Sequence, residues 1–168
     1  MTILLVEDNF GDQKLFSMAL EGTKETRLEI VDDGCKALQF LHREGNYAKS
    51  PKTDLVVLDI NLPRKSGPEV LAEIKCSPDL RQLPVVMLTS APPTDAILRI
   101  CKQAILYIVK PDDGEKYFAI ANALQALGGN ILRCPNLVEK FAEQTRRLLV
   151  DSEGCEAYVS DHWELACG

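Results

Sequence analysis

The feature that most restricts this chain's fold is a set of five apolar runs, at residues 3–6, 28–31, 55–58, 85–88 and 106–109. Each is four residues long, rich in Val, Ile and Leu and without regular polar alternation. A strand covered on one face alternates and one covered on both does not, so these runs read as strands inside a parallel sheet. Between them, apolar residues recur three and four apart: Leu15, Met18 and Ala19; Ala37, Leu38 and Leu41; Val70, Leu71 and Ile74; Ile97, Ile100, Cys101 and Ala104. Those are helix faces. Phe118, Ala121 and Leu124, with Ile120 and Leu127, continue the spacing after the fifth run. The order is βαβαβαβαβα, and parallel neighbours need right-handed crossovers, so an α/β fold is expected, with five parallel strands and helices on both faces.

The helical spacing ends near Leu127, and Gly128-Gly129-Asn130 is expected to break the helix there. This divides the chain into a domain at 1–127 and an extension at 128–168. Cys134-Pro135-Asn136 punctuates again before an amphipathic helix expected near 137–150. Leu137, Phe141, Leu148 and Leu149, with Val138 and Thr145, take one side of it; Glu139, Lys140, Glu143, Arg146 and Arg147 take the other. Packing of the apolar side onto the chain's own domain is expected in preference to a homodimer seam. Residues 151–168 show no clear period, and no partner is assigned to Trp163.

With 168 residues, a single core suffices without a metal or disulfide staple. The charge is −6, from 19 Lys and Arg against 25 Asp and Glu, and no run of five basic residues offsets it, so nucleic acid is not an expected partner. No apolar stretch approaches the roughly 20 residues of a membrane span. The run at 3–6, followed by Glu7 and Asp8, is too short for a signal-peptide core. A cytoplasmic protein with no membrane partner is expected. The cysteines Cys35, Cys76, Cys101, Cys134, Cys155 and Cys167 form no C-x-x-C pair, so six reduced thiols are expected, the first three as small buried hydrophobes. His42 and His162 lie in no kinase or phosphotransfer motif, and surface or packing roles suffice for them.

Ligands of open α/β sheets bind beyond the carboxyl ends of the strands. Here Glu7 and Asp8 follow the first run, Asp59 the third, Thr89 and Ser90 the fourth and Lys110 the fifth. Each alone has an ordinary explanation as a helix cap or a solvated loop charge. Together they put three carboxylates, a hydroxyl and an ammonium on one rim. Two carboxylates about 4 Å apart repel by roughly 4 kcal/mol at an effective dielectric of 20. Lys110 compensates only part of this, so the cluster either raises a pKa or recruits a hard divalent cation such as Mg²⁺. Phosphoryl transfer to a carboxylate needs such a set. Asp59 would accept the group, Asp8 and Glu7 would hold Mg²⁺ directly or through water, Lys110 would pair with the phosphoryl oxygens and Thr89 would bond to one of them.

The segments ILLVEDN, LVVLDINLPRKSGPEVLAEIK, LPVVMLTSA and YIVKP, within about residues 2–127, together resemble the receiver domain of two-component response regulators. NLPRKSGPEVLAEIK followed by SPDLRQLPVVMLTS is similar to the single-domain regulators that serve phytochrome-type and related sensor kinases. The resemblance implies a doubly wound, flavodoxin-like sheet of order 2-1-3-4-5, followed here by a helical tail. It implies that Glu7 and Asp8 are the acidic pair, Asp59 the phosphorylated aspartate and Asn61 the residue whose backbone carbonyl binds Mg²⁺, with Thr89 and Lys110 completing the set. It further implies a cis Lys110-Pro111 peptide and a rotamer-switching aromatic at Tyr107, with strand packing as that residue's alternative role. The phosphodonor would be a sensor histidine kinase. About forty residues after Gly128 are too few for a winged-helix output, so signalling through protein contacts is expected. The surfaces for it are the face of helix four, strand five and helix five, or the tail, either of which could also form a homodimer. The family's usual Gly-Ala-Asn-Ala-Tyr reads Gln103-Ala104-Ile105-Leu106-Tyr107 here, which alters that face and not the phosphorylation chemistry.

Two other readings compete. A haloacid-dehalogenase-type phosphatase also uses a strand-end Asp, a Lys and Mg²⁺, but carries a D-x-D on its first strand, whereas Asp59-Ile60-Asn61 lies on the third and lacks the second carboxylate. A pseudo-receiver scaffold that works without phosphorylation would not need the intact acidic set and Lys110.

Overall fold

Each apolar run forms a strand in the computed structural model, which describes residues 1–21, 26–90, 92, 94–100, 102–134, 136 and 138–159. β1 (Thr2–Val6), β2 (Arg27–Val31), β3 (Leu55–Asp59), β4 (Val85–Thr89) and β5 (Leu106–Val109) alternate with α1 (Phe10–Leu20), α2 (Gly34–His42), α3 (Gly67–Cys76), α4 (Asp95–Ile100) and α5 (Gly114–Arg133). The five strands are parallel in the order β2-β1-β3-β4-β5. Residues of β1 and β3 divide between two cores, as expected of strands covered twice. Ile3, Leu5, Leu55 and Val57 pack with Phe16, Ile120, Leu124 and Leu127 of α1 and α5. Leu4, Val6, Val56 and Leu58 pack with Ala37, Leu38, Val70, Leu71 and Ile74 of α2 and α3.

Capping residues at the strand ends start the helices and so fix the rim. Asn9 accepts the Asp12 N–H at 3.1 Å, Asp33 the Lys36 N–H at 2.8 Å and Asp113 the Glu115 N–H at 2.8 Å. At α3 the Ser66 N–H and hydroxyl both donate to Glu69 Oε2 (2.9 and 2.6 Å), with Pro68 in the first turn. Each satisfies backbone donors that a helix start leaves open.

The structure departs from the sequence reading in several places. The sheet has six strands: β6 (Ala157–Val159) adds antiparallel to β5, pairing Leu106 with Val159, Tyr107 with Tyr158 and Ile108 with Ala157. Three residues are too few to show a period, and what orders them is the open backbone edge of β5. α5 runs through Gly128-Gly129 to Arg133. Two glycines cost a helix about 1 kcal/mol each relative to alanine, but Leu127 and Ile131 are buried, and Met1 packs where a Gly128 Cβ would stand. The next helix, α6 (Val138–Arg147), is followed by one π-helical turn at Leu148–Ser152. α6 buries Val138, Ala142 and Thr145 and the turn buries Leu149, packed against α5 and β6, whereas Leu148 is exposed. Leu137 lies outside the described residues.

On the other helices Met18 is exposed and Phe118 only partly covered, their neighbours Phe16 and Tyr117 taking the inward positions. Cys76, at the last turn of α3, is exposed and Cys35 half-buried, while Cys155 is the buried thiol among the described residues. Cys101, Cys167, His162 and Trp163 lie outside those residues. The Lys110-Pro111 peptide is trans, the intrinsically preferred isomer.

Candidate functional site

The strand ends bring the expected residues together. Lys110, one residue past β5, directs its ammonium between Asp59 Oδ2 (2.5 Å), Glu7 Oε2 (2.6 Å) and Asp12 Oδ2 (3.1 Å). One carboxylate oxygen from each of Glu7, Asp8 and Asp59 lies within 4.8 Å of the others. Glu7 and Asp59 are buried and Asp8 is exposed at the mouth. The local backbone holds these groups: Glu7 Oε1 accepts the Asn9 N–H (3.1 Å), the Gln13 amide donates to the Glu7 carbonyl (2.6 Å) and Asp59 Oδ1 accepts the Asn61 N–H (3.0 Å). Thr89 ends β4, and its carbonyl accepts the Lys110 N–H at 2.7 Å, which ties the hydroxyl-bearing and ammonium-bearing residues together.

Tyr107 lies elsewhere. It is fully buried in the middle of β5, in the core under α2 and α3, and not at the cleft. Asp12, in contrast, was not anticipated. It sits in the first turn of α1, four residues after Asp8, and that spacing at a helix start on the same rim was the available signal. Tyr117, stacked edge-on against Phe16 at 5.7 Å, faces Asp12, and burial together with that carboxylate raises its phenol's pKa.

The loop from β3 to α3 carries Asn61 and is latched to the start of α2, beyond the end of β2. Arg64, in the left-handed conformation at φ 65°, pairs its guanidinium with the buried Asp33 carboxylate that caps α2.

Three carboxylates thus share one ammonium, with Asp8 beside them at the mouth. Burial, reinforced by the charge of Asp59 and only partly offset by Lys110, pushes the Glu7 pKa up to about 7. Burial opposes the Lys110 charge, but its bonds to Asp59 and Glu7 prevail and hold its pKa above the usual range. Among the described residues, Glu7 Oε2 is buried with no donor near it other than the Lys110 ammonium at 2.6 Å. Clustered anionic oxygens with a single ammonium among them suit a hard divalent cation with oxygen ligands.

The sign of the resulting pH dependence follows from Glu7. Between its ordinary value near 4.5 and about 7 the folded protein holds a proton that the unfolded chain releases. Metal-free stability should therefore be fullest below pH 4.5 as far as Glu7 is concerned, and fall as pH rises through 7, by up to roughly 3 kcal/mol. Urea unfolding across this range should show the decline, and Glu7→Gln should flatten it. An undiminished slope in that variant would place the titrating group elsewhere.

Comparison with known proteins bears on the whole chain. The profile of the response regulator receiver domain matches residues 3–122. Response regulator Rcp1 of Synechocystis sp. is 46% identical over 97 residues, which are 57% of this chain and 66% of Rcp1, slightly under two thirds of that relative's length. The structure of the Mn²⁺-bound form of Rcp1 superposes with a TM-score of 0.68 at 37% identity, covering 74% of this chain and 91% of that one. The phosphorylated cyanobacterial phytochrome response regulator RcpA gives 0.70 at 36% identity, covering 75% and 91%. The bacteriophytochrome response regulator RtBRR gives 0.61 at 31% identity and covers 92% and 96%, so the similarity reaches into the segment after α5. Strand order, strand-end chemistry and sequence agree, and the chain belongs to the family of response regulator receiver domains.

Proposed function

We propose that this protein is a phosphorylation-switched regulator that takes a phosphoryl group onto Asp59 from a sensor histidine kinase, with Mg²⁺ as cofactor, and signals through protein contacts. The observation that carries the reading is the single ammonium of Lys110 bonded at once to Asp59 and Glu7 at the strand ends. Glu7, Asp8, Asp59 and the Asn61 carbonyl would hold the Mg²⁺, whose positive charge offsets the oxygens of the incoming phosphoryl group. The Asp59 oxygen attacks phosphorus as the bond to the donor's imidazole nitrogen breaks. Lys110 then bonds the new phosphoryl oxygens, and the Thr89 hydroxyl holds another. Switching needs those two bonds to be stronger in one of two conformers, because a ligand shifts an equilibrium only by its differential affinity.

Kinship with Rcp1, RcpA and RtBRR supports a phytochrome-type kinase as donor. Among the described residues no helix is long and apolar enough to cross a membrane, which agrees with a cytoplasmic site of action. We read residues 1–127 as the receiver and 128–168 as its extension. Because β6 covers the edge of β5, a partner or second copy approaching from that side meets Tyr158 and β6. Tyr107, if it switches, does so from within the core.

The test is direct. With Mg²⁺ and acetyl phosphate the protein should gain one acid-stable, base-labile phosphoryl group, and Asp59→Asn should gain none. Labelling that persisted in the variant would move the acceptor elsewhere, and repeated turnover of a phosphate ester would make the protein a phosphatase.

A further inference from the structure

In the cleft the Lys110 ammonium is fully engaged. It has three N–H groups and meets three carboxylate oxygens, those of Asp59 at 2.5 Å, Glu7 at 2.6 Å and Asp12 at 3.1 Å. A phosphoryl oxygen arriving on Asp59 therefore needs one of these contacts to open. The Asp12 contact opens most easily. It is the longest, and the Asp12 side chain is 19% exposed against 4% for Asp59 and 0% for Glu7, so water can replace the ammonium there. Asp59 Oδ1 and Glu7 Oε1 are each pinned by a backbone N–H, from Asn61 and Asn9, whereas among the described residues no backbone N–H donates to the Asp12 carboxylate. Tyr117 of α5, buried and stacked on Phe16, faces that same carboxylate, so a second donor stands beside it.

From this geometry we infer that Asp12 is a positioning residue that competes with the phosphoryl group for Lys110: it holds the third N–H of the ammonium before transfer and yields it to a phosphoryl oxygen afterwards, when Tyr117 takes over its carboxylate. The inference rests on Asp59 as the acceptor. Each phosphorylation then opens one charged hydrogen bond and brings a second anion close to Asp12, and both effects oppose the phosphorylated form. Asp12 thus limits how fully that form is populated, without touching the metal or the reacting atoms.

The probe is beryllofluoride, a phosphoryl analogue that bonds an aspartate oxygen without group transfer, titrated into the full chain at saturating Mg²⁺ and followed by fluorine NMR. Asp59→Asn should take up none. Asp12→Asn keeps the side chain's shape and removes its charge, and should bind the probe about tenfold more tightly, the difference between a charged and a neutral hydrogen bond. Tyr117→Phe, which leaves Asp12 no second donor, should weaken the probe about threefold and have no effect once residue 12 carries Asp12→Asn. Asp112→Asn removes an exposed charge two residues past Lys110 and should change binding by less than about twofold. That control separates exchange at Lys110 from general repulsion. Mg²⁺ affinity, measured without the probe, should not rise in Asp12→Asn. Unchanged or weaker binding in Asp12→Asn, an equal gain in Asp112→Asn, or a Tyr117→Phe effect that persists beside Asp12→Asn would overturn the inference and leave Asp59 as the acceptor. A parent chain that takes up no beryllofluoride would remove the receiver reading itself, and the inference with it.

Discussion

Lys110→Met should be among the most damaging single substitutions in this protein, lowering the stability of the metal-free form at pH 7 by about 2–4 kcal/mol. Removing one partner from a buried ion pair typically costs about 3–5 kcal/mol, because the remaining charge is left uncompensated. Here the ammonium serves Glu7, Asp59 and Asp12 together, but Lys110 keeps 11% and Asp12 19% of its side chain in contact with solvent, which argues for the lower part of the range. The loss should shrink toward pH 5, where the carboxylates can take up protons, and saturating Mg²⁺ should restore part of it. Urea unfolding with EDTA and with Mg²⁺ measures both effects. Incorporation from acetyl phosphate should fall by about 10²-fold, the usual consequence of deleting a preorganised charge donor. A variant with an unchanged unfolding midpoint would show that another group neutralises the cleft.

Gly67→Ala should be nearly as severe for a different reason. A Cβ at Gly67 would stand 2.1 Å from the carbonyl oxygen of Asp59 and 2.9 Å from the Ile60 Cα, both backbone atoms that no side-chain rotation can clear. The Gly67 N–H donates to the Ile60 carbonyl at 2.9 Å, so α3 begins directly against the end of β3. Overpacking of this kind costs about 1–3 kcal/mol, and relief comes only by shifting Asp59, the proposed acceptor. Displacements near 1 Å can cost about 10²-fold in rate. Phosphoryl incorporation should therefore drop more than the change in thermal midpoint accounts for. Normal incorporation by a destabilised Gly67→Ala would show that the strand end yields without moving its carboxylate.

What the sequence made legible was whatever rested on repetition. Runs such as residues 55–58 and their intervening helix faces specify covered parallel strands, and once those are placed, Glu7, Asp59, Thr89 and Lys110 fall on one rim by topology alone. Asp12 stayed hidden because it reads as an ordinary acidic residue in a first helical turn, and only the reach of Lys110 brings it into the cluster. Gly128-Gly129 misled because local propensity argues for a break there, while the packing of Met1, Leu127 and Ile131 keeps the helix intact. β6 is invisible for the opposite reason: its three residues have little pattern of their own and are ordered by pairing with a distant strand. The pairing of Arg64 with Asp33 likewise joins residues 31 positions apart that share no motif.

That final strand has a bearing on how copies of the molecule behave in a crowded solution. An unpaired strand edge is a template on which other chains polymerise, and Ala157–Val159 plugs the one beside β5. The opposite edge, β2, is guarded by Arg27 and Glu29, whose mutual charge pairing disfavours a hydrophobic neighbour there. A chain clipped after Glu156 would replace the short three-residue edge of β6 with the bare outer backbone of Leu106–Val109 and make the molecule more prone to pairing edge to edge.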